Sequence, residues 1–165
     1  MKRFDNYPFW IVLLSNLLSL IIYGLGFYIM FRLSWMIAAV YLLYILALEV
    51  RLIKNHCTNC FYYGKTCGFG KGRLSALIFK QGDPAKFCQN NFTWKDLIPD
   101  ILVWTLPILV GIVVLILQFS LSILLAMILL FLFSSFGNQF IRGSLTCKYC
   151  KQMELGCPAE QLFNK

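Results

Sequence analysis

Two long apolar blocks, at residues 9–53 and 97–141, dominate this sequence of 165 residues. A helix needs about 20 apolar residues to cross the hydrocarbon core of a bilayer, so each block is too long for one crossing and suits two. The chain is 59% hydrophobic and only 13% charged, whereas about a quarter of the residues in soluble domains are charged. We therefore predict an all-α membrane protein with four transmembrane helices.

Polar interruptions near the middle of each block predict where the chain turns. These are residues 32–34 and 118–120, and they divide the blocks into two in–out–in hairpins that could form a parallel pseudo-repeat. The fourth helix is then expected to end near Ile141, with Arg142 capping it at the membrane boundary. Pro107 falls inside the third helix, where neighbouring groups must satisfy the carbonyl that the proline leaves unbonded.

The chain therefore divides into four segments. The first hairpin occupies residues 1–53, a segment rich in cysteine, glycine and lysine follows at 54–96, the second hairpin spans 97–142, and a cysteine-rich tail covers 143–165. Within the second segment, Arg73 to Lys80 carries leucine and isoleucine at helical spacing. We predict a short helix there that lies on the membrane surface.

Positive charge predicts the orientation in the membrane. Of fifteen Lys and Arg residues, all but Arg32 lie in the N-terminal tail, in the 51–95 segment or in the 142–165 tail. By the positive-inside rule both termini and the cysteine-rich segments are cytosolic, in a multi-pass protein of the cell membrane. Attraction to anionic lipid headgroups accounts for the net charge of +8 without a nucleic acid partner.

Polar side chains within the first two helices also need an explanation. Ser15, Ser19 and Tyr23 recur at four-residue spacing on one helix face. We interpret them as contacts between helices rather than as the lining of a substrate path. Glu49, near the end of the second helix, is interpreted as an ion-pair partner at the interface rather than as a proton carrier.

A cysteine spacing, C-x2-C-x6-C, follows each apolar block. The first cysteine motif is Cys57, Cys60 and Cys67, the second is Cys147, Cys150 and Cys157, and Cys88 lies between them. In a C-x2-C turn two thiolates can reach one metal ion while backbone amides point at the sulfurs. Because cytosolic thiols stay reduced, the repeated spacing predicts a metal site rather than disulfides.

Counting ligands leaves two arrangements open. In a sequential arrangement one site comprises Cys57, Cys60, Cys67 and Cys88, and the other comprises Cys147, Cys150 and Cys157 with an outside ligand such as His56. In an interleaved arrangement Cys57, Cys60, Cys147 and Cys150 share one metal. A three-cysteine site could also borrow its fourth ligand across the two-fold axis of a homodimer.

Zinc is the metal that we favour, with an iron–sulfur cluster as the alternative, because thiolates suit both. The six-residue gap matches neither common ferredoxin spacing. With His56 as the only histidine, the chain cannot supply two histidine ligands to a haem. No Ser–His–Asp set or other catalytic group is evident, so we name no catalytic residues and favour a non-enzymatic protein.

Three functions fit these features. The first is an accessory or anchoring subunit of a larger membrane complex, whose cytosolic face is held together by thiolate-bound metal. The second is an iron–sulfur protein that passes electrons at the membrane surface to a quinone or a protein partner. The third is thiol–disulfide exchange or metal handling, which requires accessible thiols of low pKa.

Overall fold

The computed structural model of the chain describes residues 3–83, 87, 94–155 and 157, with the side chains of residues 94–96 excepted. The elements in these residues are helical: α1 (Phe9–Leu33), α2 (Trp35–Asn55), α3 (Lys71–Ile78), α4 (Trp94–Leu117) and α5 (Leu121–Leu132), which a π-helical segment (Phe133–Thr146) continues. The only extended pairing among them is an isolated bridge between Phe4 and Cys150. The predicted all-α class is confirmed for the described part of the chain.

Within the described residues, four helices are long and apolar enough to cross a membrane. They are Phe9–Leu33, Trp35–Asn59, Leu97–Leu117 and Leu121–Tyr149. Many of their large apolar side chains are exposed, including Phe9 at 77%, Ile116 at 79% and Leu121 at 62%. Exposure on this scale is unusual in a soluble monomer and suits contact with lipid, so the fold is compatible with a multi-pass membrane protein.

The two predicted turns lie where the polar interruptions placed them. α1 continues through Leu33, and only Ser34 is extended. The Ser34 amide donates to the Met30 carbonyl at 3.1 Å, and the Ser34 carbonyl accepts from the Ala38 amide at 3.1 Å, so one residue joins two capped helices. The second turn comprises residues 118–120, between the end of α4 and the start of α5.

The predicted end of the fourth helix was wrong. The helical course continues past Ile141 to Thr146 as the π-helical segment, so Arg142 lies inside it and does not cap it. The Arg142 side chain donates instead to the Ser19 hydroxyl of α1 at 2.7 Å. A π-helix is rare and often occurs at functional sites, and this one leads directly into the second cysteine motif.

Pro107 shows how a proline is accommodated in α4. Proline has no amide hydrogen, so the carbonyl of Val103, four residues earlier, loses its helical partner. The Tyr41 hydroxyl of α2 donates to that carbonyl at 2.7 Å. Gly26 of α1 makes room for Tyr41, because a β-carbon at Gly26 would collide with the tyrosine ring.

The core of the bundle lies between α1 and its neighbours. Its largest cluster of buried residues is Leu18, Ile22, Ile29, Val103, Ala126 and Leu130. These residues come from α1, α4 and α5, so α1 is the central helix. The packing fixes the ends of α2 and of the π-helical segment around α1, and both cysteine motifs follow these ends.

Candidate metal-binding site

The two C-x2-C turns follow the same backbone course. Each begins with a short 3₁₀ turn, Cys57–Asn59 or Cys147–Tyr149, that directly follows a long helix. The amide of the second cysteine donates to the carbonyl of the first, at 3.4 Å for Cys60 and 3.0 Å for Cys150. The φ and ψ angles are −84° and 151° at Cys60 and −78° and 126° at Cys150.

The third cysteine of the first motif lies before the N-terminus of α3. Gly70, at φ 72°, turns the chain into this helix, a left-handed conformation that favours glycine. The Gly72 amide, in the first turn of α3, donates to the Cys67 sulfur at 3.4 Å. Amides at a helix N-terminus favour negative charge, so this position suits a thiolate. The short helix that was predicted over Arg73 to Lys80 occurs as α3 (Lys71–Ile78), and its Leu77 side chain is 83% exposed.

The N-terminal segment runs between the two motifs and joins them. The Phe4 amide donates to the Tyr149 carbonyl at 3.2 Å, and the Tyr7 amide donates to the Thr66 carbonyl at 2.9 Å. The Tyr7 hydroxyl donates to the Thr146 carbonyl at 2.6 Å. Residues 4–7 thus bond to both cysteine-bearing parts of the chain.

Direct contacts also link the two motifs. The Tyr62 hydroxyl accepts from the Lys151 amide at 3.0 Å, and the Phe61 amide donates to the side-chain oxygen of Gln152 at 2.7 Å. Gly68 lies so close to Thr146 that a β-carbon there would collide with the threonine side chain. The two motifs therefore pack as one unit.

A surface ion pair adds to this contact. The Lys151 ammonium donates to the Asp5 carboxylate at 2.5 Å. The hydrogen bond lowers the pKa of Asp5 and raises the pKa of Lys151. Because both groups lie at the surface, the pair contributes little to stability.

A cavity of about 450 Å³ opens between the motifs, and all six described cysteines line it together with His56. The six thiols form no disulfide. Seven of the eight predicted ligands are thus brought to one cavity, whereas Cys88 lies outside the described residues. The ligand sets remain predictions, because no three His, Cys, Asp or Glu side chains of the described residues are grouped closely enough to hold a metal ion.

The Cys60 and Cys150 thiols favour the neutral form in the absence of a cation, yet their surroundings suit thiolates. Burial raises the pKa of the Cys60 thiol to about 12, although the Tyr62 amide bonds to its sulfur. Burial likewise raises the pKa of Cys150, although the amides of Gln152 and Met153 bond to it. A bound cation would reverse the balance, because it removes the thiol proton outright. Buried sulfurs with amide donors therefore fit a metal-bound thiolate.

Charged side chains from the helices extend the cavity into the bundle. Glu49 accepts from the Tyr23 hydroxyl at 2.7 Å and forms an ion pair with Lys71, so the predicted role of Glu49 in an ion pair is confirmed. Arg142, besides bonding to Ser19, lies over the Phe69 ring at 5.3 Å. The polar residues Ser19 and Tyr23 thus line the cavity, beyond the helix-packing role that we assigned to them.

Sequence reasoning missed the polar stripe on the π-helical segment. Ser134, Asn138, Arg142 and Thr146 all line the cavity. They recur every four residues in an otherwise apolar region, a spacing that places side chains on one face of a helix. This four-residue spacing is visible in the sequence and could have indicated the polar face. The inward position of Tyr7, by contrast, had no signal in the sequence pattern.

No family model, curated protein or solved structure matches this chain.

Proposed function

We propose that this chain is an integral membrane protein that holds a thiolate-bound metal centre in the cysteine cavity and transfers electrons there. One observation carries the proposal: six thiols from two motifs line a single cavity, with backbone amides bonded to three of the sulfurs. Amide donors of this kind orient and stabilise thiolate ligands.

Positive charge on the cavity wall favours an iron–sulfur cluster over zinc. Among the described residues no three ligands are grouped closely enough to hold a metal ion, so the ligand set of either centre is part of the proposal. The cationic side chains of Lys71 and Arg142, on the same cavity, would offset the negative charge of thiolates and sulfide.

A zinc-bound accessory subunit is the second candidate, and the contacts between the motifs favour it. Phe4, Tyr62 and Gln152 already join the two motifs, and zinc shared between Cys60 and Cys150 would reinforce that joint. In this role the protein would present a rigid cysteine end to other membrane or cytosolic subunits.

The orientation belongs to the same proposal. We place both termini and both cysteine motifs in the cytosol, with the helices as two hairpins in a parallel pseudo-repeat. The distribution of Lys and Arg supports the orientation, and the matching backbone of the two C-x2-C turns supports the repeat. Topology reporters fused to each terminus test the orientation. A reporter that is active only outside the cytosol should be inactive at both termini, and its activity at either terminus would contradict the orientation.

The deciding experiment is metal analysis of protein purified anaerobically in detergent. Iron with matching acid-labile sulfide and a brown absorption band would establish the cluster, whereas zinc without colour would establish the second candidate. The variant Cys60→Ser/Cys150→Ser should lose the metal. Ser122→Ala, at the opposite end of the bundle beside Tyr28, is the matched control and should keep it. Metal-free wild-type protein would refute both candidates.

A further inference from the structure

The cysteine cavity continues beyond the thiols into the helix bundle. Its deepest part, which we call the inner chamber, lies between α1, α2, α4 and the π-helical segment. The walls of the inner chamber are Ile22, Ile45, Val103, Trp104 and Ser134. From Thr146 to Ser134 the lining advances twelve residues along one helix, so the cavity extends on the order of 15 Å into the bundle. A metal centre at the cysteines leaves this part for another ligand.

Charges at the entrance of the inner chamber nearly cancel. Three cations, Arg51, Lys71 and Arg142, and two carboxylates, Glu49 and Asp100, line the cavity there. Glu49 is already paired with Lys71. A small ion would therefore meet charges of both signs, whereas a neutral ligand with polar atoms meets no net repulsion.

The hydrogen-bonding groups at this level match a carbonyl compound. A guanidinium has five N–H groups and an ammonium has three. One N–H of Arg142 donates to Ser19, and one of Lys71 donates to Glu49. The remaining N–H groups can donate to a ligand oxygen. Trp104, on the chamber wall, offers a flat aromatic surface to a ring.

One opening of the cavity lies between α2 and α4. Leu52 of α2 and Asp100 of α4 both line the cavity, and both are exposed on the outside of the described structure. A side chain that is exposed and also lines a cavity marks its rim. A ligand can thus reach the inner chamber between α2 and α4, past apolar Leu52, with its polar end towards the charged residues.

We propose that the inner chamber binds the ring of a membrane quinone. A quinone ring is flat and neutral and carries carbonyl oxygens, and its lipid tail remains in the bilayer. The whole cysteine cavity, at about 450 Å³, lies within the range of about 300–1,000 Å³ that is usual for small-molecule sites. Electron transfer between the quinone and the thiolate centre rests on the proposed function, because it needs a metal centre in the same cavity. Binding of the quinone ring does not depend on that metal centre.

The test is fluorescence titration of the detergent-solubilised full chain with decyl-benzoquinone and with 2-methyl-1,4-naphthoquinone. We expect saturable quenching of tryptophan emission, largely removed by Trp104→Phe. Ser134→Leu, which fills the inner chamber, should weaken binding at least about tenfold. Ser122→Leu makes the same change away from the cavity and should bind like the wild type. Quenching that rises linearly without saturation, or that is equal in both leucine variants, would overturn the proposal.

A second measurement, on the wild-type protein, tests the site even if the Ser134→Leu variant does not fold. A photoreactive azido-quinone should label wild-type peptides from α4 or the π-helical segment, and unlabelled quinone should prevent the labelling. Labelling spread over the lipid-facing helices, or displaced by anionic phospholipid but not by quinone, would refute the site. Metal analysis of the same preparation separates the two proposals. Quinone binding without metal refutes only the metal centre, and metal without quinone binding refutes only the inner chamber.

Discussion

The Tyr62 hydroxyl accepts a hydrogen bond from the Lys151 amide at 3.0 Å and donates to the Phe4 carbonyl at 2.6 Å. One buried hydroxyl therefore connects the first cysteine motif, the second and the N-terminal segment. Neither partner lies near Tyr62 in sequence, so the contact exists only when all three parts are assembled. Removing this one hydroxyl oxygen therefore tests the joint between the motifs.

Tyr62→Phe should destabilise this joint. It removes the oxygen and leaves the Lys151 amide and the Phe4 carbonyl without their partner, which costs about 1–3 kcal/mol. We expect a lower thermal midpoint in detergent and faster loss of metal to a chelator. Tyr63→Phe is the control, since the Tyr63 hydroxyl bonds to the Phe79 carbonyl, away from the second motif. Equal metal loss in both variants would count against the joint.

Pro107 and Tyr41 should be energetically coupled through the Val103 carbonyl. Tyr41→Phe alone leaves that carbonyl unsatisfied in the bundle, at a cost of about 1 kcal/mol or more. Pro107→Ala restores an amide that can bond to it, so Tyr41→Phe should cost less in that background. A double-mutant cycle of unfolding free energies measures the coupling. Additive effects would show that Tyr41 does not replace the missing amide.

Gly72→Ala should disturb the first cysteine motif. A β-carbon at Gly72 would collide with the backbone carbonyls of Tyr62 and Lys65, which cannot move aside as a side chain can. We expect a loss of about 1–3 kcal/mol in unfolding free energy and weaker metal retention.

Gly143→Ala is the matched control for this substitution. A β-carbon there meets nothing within 4 Å, and alanine is the better helix former by up to about 1 kcal/mol. Its unfolding free energy should be unchanged or higher. Equal destabilisation by the two alanines would indicate that the close approach at Gly72 is not what matters.

Lys71→Gln should weaken the metal centre by removing a positive charge from the cavity wall. Lys71 pairs with Glu49 and lies on the same cavity as Cys57. We expect metal affinity to fall roughly tenfold, about 1.4 kcal/mol, in chelator competition. Lys80→Gln, an exposed lysine beyond α3, should leave the affinity unchanged. A matching loss in both variants would mean that only overall charge matters.

The sequence could predict features that depend on length and local chemistry. Two apolar blocks imply four crossings, and Ser34 and residues 118–120 interrupt them at the right places. The prediction that Arg142 ends the fourth helix was wrong because a charge usually marks the end of a span. Here the Arg142 side chain instead donates a hydrogen bond to Ser19 of another helix. The ion pair between Lys71 and Glu49 likewise joins two different helices. Contacts between distant segments depend on helix rotation, which hydropathy does not determine.

Alkylation of Cys60 in metal-stripped protein tests whether the thiols are suited to exchange chemistry. Burial raises the pKa of this thiol from 9.0 to about 12, so at pH 8 its thiolate fraction is roughly a thousand times below that of an exposed thiol. Because the folded pKa is raised, the protonated thiol favours the folded state below pH 9, and this contribution is lost as the pH rises towards 12.

Iodoacetamide should therefore label Cys60 slowly at pH 8 in the folded, metal-free protein, and much faster above pH 11, as measured by mass spectrometry of its peptide. The same peptide in denatured protein is the control and should react rapidly at pH 8, because unfolding restores the ordinary thiol pKa. Rapid labelling of the folded protein at pH 8 would favour thiol–disulfide exchange over a buried metal ligand. Slow labelling of the folded, metal-free protein at pH 8 would show that burial alone keeps this thiol from reacting.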